Sequence, residues 1–228
     1  MAAIGIMGGT FNPIHLGHTA IAKAAYEQFH LDEVWFMPNH LPAYKSNKDL
    51  VSAKDRLKMV QLGIKEYPYF KVSDFEINRE GKTYTYQTMM LLSQKYPQND
   101  FYFIMGADSL FYFDKWQHPE TIIAHANILA AARDQKSTEE MQKQIDKLNT
   151  LFNRQAFYFI QCPEMDCSSS EIREKFGELY KTGNTTDNTV SVNDKGRENF
   201  FLSDEVFSYI IERRLYANNH TESEHTVT

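Results

Sequence analysis

The chain has 228 residues, a length that suits one large domain or two small ones. Its 30 acidic and 24 basic side chains give a net charge of -6, which excludes a global basic field for nucleic acid. No run approaches the roughly 18 consecutive apolar residues of a membrane span, and Met1 to Gly9 lacks the basic leader of a signal peptide. The sequence therefore predicts a cytoplasmic protein without nucleic-acid or membrane partners.

Short apolar runs alternate with segments of helical periodicity along most of the chain. The predicted strands are, in chain order, Ala2 to Met7, Glu33 to Met37, Phe70 to Ser73, Phe101 to Met105, Ile128 to Ala132 and Phe157 to Gln161. The predicted helices are Gly17 to Phe29, Ala53 to Glu66, Thr85 to Lys95, Thr138 to Phe152 and Ser170 to Tyr180. This alternation is typical of an α/β protein with a Rossmann-like, doubly wound parallel sheet, whose ligand lies beyond the C-terminal ends of the strands.

The C-terminal part of the chain changes character. Thr182 to Asn199 is rich in Gly, Asn, Asp, Thr and Ser, and its lack of apolar periodicity predicts a loop insertion. Leu202 to Tyr216 regains helical spacing and predicts a small C-terminal helical segment, whereas Ala217 to Thr228 is polar and predicts a flexible tail. We therefore expect a single domain over residues 1 to 216, with a homo-oligomer left open.

The most informative segment, the first motif, runs from Gly8 to His18 and reads Gly-Gly-Thr-Phe-Asn-Pro-Ile-His-Leu-Gly-His. Two glycines let the backbone approach an anion, and the helix that follows offers N–H groups with partial positive charge. His15 and His18 are three residues apart, so one helical turn places them on the same side, where they can bind adjacent phosphate oxygens. Taken singly, a glycine pair or a histidine is more often structural. The ordered set predicts a phosphate site.

A second motif follows about 150 residues later, Ser168-Ser169-Ser170-Glu171-Ile172-Arg173. Serine hydroxyls at a helix start can cap backbone N–H groups or donate to a phosphate, and Arg173 offers a fork to the same anion. Alone, this motif would be read as a helix cap followed by a surface arginine. The two cysteines, Cys162 and Cys167, cannot form a disulfide framework and have no zinc spacing, so we expect them to be reduced.

The two motifs together resemble the HxGH and (I/S)-S-(S/T)-x-(I/V)-R signatures of the nucleotidyltransferase superfamily. From Ile4 to Tyr216 the chain resembles bacterial nicotinate mononucleotide adenylyltransferases in particular. The resemblance rests on the first motif and on four further segments: Pro38-Asn39 with Pro42 and Lys45; Arg79 to Thr85; Phe103 to Leu110 with Phe113 and Trp116; and Val206 to Ile210 with Leu215-Tyr216. It implies transfer of the AMP part of ATP to nicotinate mononucleotide, with release of pyrophosphate, in NAD biosynthesis.

The resemblance also implies roles for individual residues. The residues expected to bind ATP are Gly8, Gly9, Thr10, Phe11, His15, His18, Gly106, Asp108, Arg133, Ser169, Ser170 and Arg173. Those expected to bind nicotinate mononucleotide are Lys45, Thr85, Trp116 and Gln117, and the expected catalytic residues are His15, His18, Lys45 and Arg173. Mg²⁺ is expected on the ATP phosphates, held mainly by substrate and water rather than by a protein metal site. As structural alternatives, Trp116 is a core residue and Asp108 a helix cap.

The chain departs from the usual family pattern in several places. Ala43-Tyr44 precedes Lys45 where Pro-His is common, Gln87 stands where Asp is frequent, and Asp134 follows Arg133 where Pro-Gly is usual. Ser203 replaces a frequent Pro, and the 182 to 199 connection is longer than expected. Two alternatives to the main hypothesis remain. One is a sister transferase that uses nicotinamide mononucleotide, phosphopantetheine or a cytidylyl acceptor, and the other is a nucleotide-binding regulator without turnover.

Overall fold

The fold is built around one parallel sheet. A computed structural model describes residues 1–40, 50–132, 137–163, 165–181, 185–186, 189–190 and 197–217. The six strands are β1 (Ala3–Gly9), β2 (Glu33–Pro38), β3 (Phe70–Val72), β4 (Asp100–Gly106), β5 (Asn127–Ala131) and β6 (Phe157–Ile160). They lie in the order β3-β2-β1-β4-β5-β6, and every neighbouring pair is parallel. The predicted doubly wound α/β sheet is confirmed, with all six predicted strands within about two residues of their bounds.

Helices connect the strands. Their bounds are α1 (Leu16–Gln28), α2 (Ala53–Gly63), α3 (Thr85–Lys95), α4 (Ala107–Phe111), α5 (Pro119–His125), α6 (Thr138–Leu151), α7 (Ser169–Lys181) and α8 (Asp204–Glu212), with a 3₁₀ turn at Phe113–Lys115. Sequence periodicity missed α4 and α5 because helices of five and seven residues are too short to show it. None of the helices in these ranges is long and apolar enough to cross a membrane.

Alternate residues of the strands feed two apolar layers, one on each face of the sheet. Leu129 and Ala131 face a cluster that also contains residues of α1, α2, α7 and α8. Ile128 and Ala130 face a second cluster, which contains residues of α3, α4, α5 and α6. Both faces are therefore buried, which is why the strands read as continuous apolar runs in the sequence.

The order of the strands reverses between β1 and β4. The two strands pair from Ala3 with Asp100 up to Met7 with Ile104. Beyond that point β1 continues only alongside β2, where Gly9 pairs with Pro38, and β4 continues only alongside β5, where Gly106 pairs with Ala131. The sheet thus splits at its C-terminal edge, and such a split is where ligands bind in open α/β sheets.

Two predictions for the C-terminal part need correction. The helix predicted over Leu202 to Tyr216 is shorter, because Ser203 caps α8 through the Val206 N–H at 3.3 Å and the backbone leaves helical geometry at Arg214, whose φ is 48°. Within the predicted loop Thr182 to Asn199, two strands, β7 (Thr185–Thr186) and β8 (Thr189–Val190), form an antiparallel ladder. The threonines and the valine there favour strands. Most of that segment and of the predicted tail lies outside the described residues.

Candidate active site

The first motif begins inside the sheet and ends on α1. Gly8 and Gly9 are the last residues of β1, and the chain then turns at Phe11, whose φ is 47°. The Phe11 ring is 2% exposed and packs edge-on against the His18 ring, with centroids 5.1 Å apart. A Cβ on Gly9 would lie 3.1 Å from that ring, so glycine at position 9 leaves the room that Phe11 needs.

Arg56 fixes this turn from α2. Its side chain is 1% exposed, and Nη1 donates to the Thr10 carbonyl at 2.8 Å. Nη2 donates to the carbonyls of Asn39 and His40, at 2.7 and 2.9 Å. The guanidinium therefore ties the end of β1 to the end of β2. Sequence analysis missed Arg56, although it shares the apolar face of α2 with Met59 and Val60.

The two histidines of the first motif face each other at the start of α1. His15 is the N-cap and His18 is three residues on, with ring centroids 3.8 Å apart. The His15 backbone N–H donates to His18 Nδ1 at 3.2 Å, so a neutral His18 ring carries its proton on Nε2. Nε2–H is then the donor that a phosphate oxygen requires. The prediction that the two residues lie on one side of a helical turn is confirmed.

Gly17 lies beside both His15 and Cys167, the residue that precedes the second motif. The Cys167 thiol lies 3.4 Å from His15 Nδ1, and a Cβ on Gly17 would be 3.0 Å from that sulfur and 3.1 Å from Nδ1. A side chain at position 17 would therefore push these two groups apart. Both cysteines are free thiols, as expected, with Cys167 buried and Cys162 half-buried.

The second motif is joined to the first by its side chains. Ser168 caps α7 by accepting from the Glu171 N–H at 3.2 Å. Ser169 Oγ donates to the Pro13 carbonyl at 2.9 Å, and Arg173 Nη1 donates to the Asn12 carbonyl at 2.9 Å. The structure thus brings the two motifs together, as predicted, with Ser168 as the cap and Ser170 exposed.

Asn12 is also held from the C-terminus. Its Oδ1 accepts from the Tyr216 hydroxyl at 3.1 Å and from the Val51 N–H at 3.3 Å. Burial raises the pKa of Tyr216 far above its usual value, so the hydroxyl keeps the proton that it donates. Three segments distant in sequence therefore meet at one residue of the first motif: the chain before α2, α7 and the chain after α8.

A cavity of about 270 Å³ opens beside the first motif, and we call it the switch-point cavity. It is lined by Gly8, Gly9, Thr10, Asn39, Glu76, Thr83, Tyr84, Thr85, Phe103, Ser109, Trp116, Gln117 and Ile122. Three of the four residues predicted to bind the mononucleotide, Thr85, Trp116 and Gln117, are thus brought to the glycines of β1. Trp116 is half-buried and packs on Phe113, with ring centroids 5.4 Å apart, so it belongs both to the core edge and to the cavity wall.

Glu76 is a cavity residue that sequence analysis missed. Its side chain is 8% exposed, and Oε1 accepts from the Thr88 hydroxyl at 2.6 Å. Burial raises the pKa of Glu76 above its usual value, against the opposite influence of hydrogen bonds from Thr88 and Thr83 and of the Arg79 charge. An acidic residue four positions after the end of β3 belongs to no periodic pattern that would have marked it as buried.

The remaining predicted residues lie apart from the cavity lining or outside the described ranges. Gly106 ends β4, and a Cβ there would meet nothing within 4 Å, so the space above it is open to a ligand. Asp108 is exposed in the first turn of α4. Lys45 and Arg133 fall outside the described residues. Within the part of the chain that the structure describes, no group of three or more His, Cys, Asp or Glu is arranged to hold a metal ion.

A sheet of this order, with a glycine loop and facing histidines at its switch point, is the architecture of an α/β nucleotidyltransferase. The model of the cytidylyltransferase-like family matches residues 6–175. The nicotinate-nucleotide adenylyltransferase of Bacillus subtilis is 34% identical over 216 residues, which cover 95% of this chain and 99% of that protein. The chain therefore belongs to the nicotinate-nucleotide adenylyltransferase family, within the cytidylyltransferase-like proteins.

Further comparisons agree with this assignment. A protein of Lachnoclostridium phytofermentans named "Probable nicotinate-nucleotide adenylyltransferase" is 41% identical over 216 residues, covering 95% of this chain and all of that one. The solved structure of Plasmodium falciparum nicotinic acid mononucleotide adenylyltransferase complexed with NaAD superposes with a TM-score of 0.70 at 22% identity. It covers 95% of this chain and 98% of that one, and it supports the fold.

Proposed function

We propose that this chain transfers the AMP moiety of ATP to the phosphate of nicotinate mononucleotide and releases pyrophosphate, as a step in NAD synthesis. The observation that carries the proposal is the switch-point cavity, which joins Gly9 and Thr10 of the first motif to Thr85 and Trp116. Its volume of about 270 Å³ is near the lower end of the range for small-molecule sites. A phosphate-binding loop thus opens into a partly aromatic pocket of the size that an acceptor ring needs.

The reaction needs no general base from the protein. An oxygen of the acceptor phosphate, already anionic, forms a bond to the α-phosphorus of ATP while the bond from that phosphorus to the β-bridging oxygen breaks. Pyrophosphate leaves with the electron pair. The work left to the protein is to position the two anions and to neutralise the charge that builds on their oxygens. ATP enters as its Mg²⁺ complex, and the metal is held mainly by phosphates and water.

His18 is the residue we assign to the α-phosphate in the transition state. Its Nδ1 is engaged by the His15 N–H, which fixes the ring and directs the proton to Nε2 as a donor. His15 stands one helical turn away with its ring 3.8 Å from that of His18, so both can serve one triphosphate. His15 lies against Gly17 and the Cys167 thiol, and His18 packs against the Phe11 ring.

The remaining ATP contacts follow from the family resemblance. Ser169 and Arg173 are tied to the Pro13 and Asn12 carbonyls, which supports a role in placing the first motif as well as in binding the β- and γ-phosphates. Ser170 is proposed to share the phosphate contact. Gly106 and Asp108 are proposed to hold the adenosine, since Gly106 ends β4, across the switch point from β1, and Asp108 lies two residues further on. Lys45 is proposed to lie beside the phosphates and Arg133 near the adenine.

The acceptor site is proposed to select the acid over the amide. A carboxylate on the pyridine ring accepts two hydrogen bonds, whereas an amide places an NH₂ where the second acceptor would be. Thr85, Trp116 and Gln117 line the cavity, and we assign the Thr85 hydroxyl and the Gln117 backbone N–H as the donors and the Trp116 indole as the face for the pyridine ring. Such a donor pair would oppose the amide and attract the acid.

The proposal is tested by product analysis. Purified protein is incubated with MgATP and, in turn, nicotinate mononucleotide, nicotinamide mononucleotide and phosphopantetheine, and both pyrophosphate and the joined product are measured. We expect one pyrophosphate per dinucleotide with the nicotinate compound and no turnover with phosphopantetheine. Equal rates with phosphopantetheine would reject the acceptor assignment, and binding of ATP without turnover of any acceptor would favour a regulator. A cytoplasmic location, expected from the sequence, is part of the same proposal.

A further inference from the structure

A polar network of buried and half-buried side chains begins at the wall of the switch-point cavity, with Glu76. Glu76 and Thr88 are 8% and 1% exposed, and the Thr88 hydroxyl donates to Glu76 Oε1 at 2.6 Å. The same hydroxyl oxygen accepts from Arg79 Nη1 at 3.0 Å. Arg79 Nη2 donates to Gln87 Oε1 at 2.8 Å, and Gln87 Nε2 donates to the Tyr86 hydroxyl at 3.1 Å. The donors thus run in one direction, from Arg79 through Thr88 to the carboxylate.

The network encloses the start of α3. Tyr84 is the N-cap of that helix, and Thr85 is its first residue. The Glu76 carboxylate hydrogen-bonds with Thr83, which precedes the cap, and with Thr88, which lies in the first turn. Thr85 therefore sits between two residues that one carboxylate holds. The Tyr84 side chain makes no capping hydrogen bond, whereas the Glu76 carboxyl group bonds to Thr83 and Thr88 on either side of the helix start.

Because Gln87 is neutral, the network depends more on Glu76 than it would with an acidic residue at position 87. An aspartate at position 87 would form an ion pair with Arg79. In this chain the amide oxygen of Gln87 is a neutral acceptor for Arg79 Nη2. The acidic group that faces Arg79 from the cavity side is the Glu76 carboxyl, whose pKa burial raises and the Arg79 charge lowers in part. A change at Glu76 would therefore remove the acceptor of the Thr88 hydroxyl and the carboxyl group that faces Arg79.

From these contacts we infer that Glu76 is a positioning residue for the acceptor: through Thr83, Thr88 and Arg79 it holds Thr85 at the wall of the switch-point cavity. This inference rests on the proposed function for the identity of the acceptor. The first motif is held by other residues, Arg56 and Arg173, whose hydrogen bonds do not pass through the Glu76 network. Loss of Glu76 should accordingly weaken acceptor binding and leave ATP binding unchanged.

Three variants test the inference. Glu76→Met keeps the length of the side chain and removes both acceptor oxygens. Thr88→Val removes the hydroxyl that links Arg79 to the carboxylate. Glu76→Gln keeps one acceptor oxygen and serves as the conservative variant. Gln144→Met is a matched control, because Gln144 is 7% exposed, lies on α6 and donates to the Leu110 carbonyl, away from the cavity.

Initial rates are measured with the acceptor varied at saturating MgATP and with MgATP varied at saturating acceptor. Loss of one or two hydrogen bonds corresponds to about fivefold to tenfold in affinity. We expect Glu76→Met and Thr88→Val each to raise the acceptor KM by about that factor, with the KM for ATP within about twofold of wild type. Glu76→Gln should lie between wild type and Glu76→Met, and Gln144→Met should leave both KM values unchanged.

The double variant Glu76→Met/Thr88→Val should be no worse than the worse single variant, because both act through one network. Thermal melting identifies the variants that fold. If Glu76→Met does not fold, the inference is tested with Thr88→Val against wild type. An unchanged acceptor KM in the folded variants, or equal rises in both KM values, would overturn the inference. A wild-type protein that turns over no nicotinate mononucleotide would instead reject the proposed function, which is a separate outcome of the same assay.

Discussion

The proposed phosphate side and the proposed acceptor side of the site are held together in different ways. On the phosphate side, the first motif is held by side chains from α2, from α7 and from the chain after α8, through Arg56, Ser169, Arg173 and Tyr216. Most of these contacts are donated to backbone carbonyls, and they span up to 204 positions of the sequence. On the acceptor side, the network from Glu76 to Thr88 spans 12 positions and is made mostly of side chains.

The difference indicates how each side responds to change. Contacts between distant elements tie the phosphate loop to the global fold, so changes there should affect both stability and turnover. Contacts within one short segment should affect acceptor binding with a smaller effect on the fold. Each prediction below tests one side of this contrast.

The largest effect is expected for Arg56→Leu. The change leaves the carbonyls of Thr10, Asn39 and His40 without their side-chain donor, and a buried unsatisfied group costs about 1 to 3 kcal/mol. We expect a loss of about 3 kcal/mol or more in the free energy of unfolding, measured by urea denaturation, together with a fall in kcat. Arg154→Leu, at an exposed position, is the control and should change neither. A free energy of unfolding equal to that of wild type in Arg56→Leu would mean that the hydrogen bonds of Arg56 to this loop do not contribute to the stability of the fold.

His18→Ala should act on turnover rather than on stability. Losing one preorganised donor to transition-state charge typically costs on the order of 10² to 10³ in kcat. We expect a loss in that range, with the Kd for ATP much less affected, measured by single-turnover kinetics and equilibrium binding. His30→Asn is a suitable control, because His30 is exposed and has a φ of 49°, which asparagine tolerates. A kcat within about threefold of wild type would remove His18 from the mechanism.

Trp116→Ala should raise the acceptor KM and leave the KM for ATP near that of wild type, since the indole contributes stacking area on the acceptor side alone. Aromatic contacts contribute about 0.5 to 1.5 kcal/mol beyond burial, so a rise of about tenfold or more is expected. Steady-state kinetics with each substrate varied provide the measurement, and Trp35→Ala on β2 is the matched tryptophan control. If the acceptor KM stays unchanged in a folded variant, Trp116 is a core residue only.

The smallest effect is expected for Tyr216→Phe, which removes the hydroxyl that donates to Asn12 and keeps the ring. One hydrogen bond of this kind contributes about 1 kcal/mol to stability. We expect a loss of that size in urea denaturation and a modest fall in kcat, since Asn12 belongs to the first motif. Tyr112→Phe, at an exposed position, should show neither effect. A stability equal to wild type would mean that the C-terminus does not hold the phosphate side.

The sequence was most informative where a structural feature produces an apolar period or an ordered motif. The six strands follow from apolar runs buried on both faces, and the pairing of His15 with His18 follows from a spacing of three on a helix. Thr85, Trp116 and Gln117, which the family resemblance assigns to one site, line a single cavity beside the glycines of β1, and their role in binding the acceptor stays a prediction. Short elements such as α5 escaped because seven residues show too little of the 3.6-residue period.

Buried polar residues were the ones the sequence could not reveal. Arg56, Glu76 and Tyr216 gain their roles from partners 46, 12 and 204 positions away, and no local pattern records such contacts. A charged residue in a helix or a loop is more often solvated, so the polar identity of Arg56 and Glu76 pointed away from burial. Their positions became interpretable only once the topology had brought the strand ends together.

The most direct test of the account is the ratio of kcat/KM for nicotinate mononucleotide to that for nicotinamide mononucleotide, measured on the wild-type enzyme at saturating MgATP. Donors from Thr85 and Gln117 facing the pyridine substituent would leave a donor against a donor when the amide binds, a mismatch of about 1 to 3 kcal/mol. The account predicts a preference for the acid of about tenfold to a hundredfold or more. A ratio near one, or a preference for the amide, would contradict it.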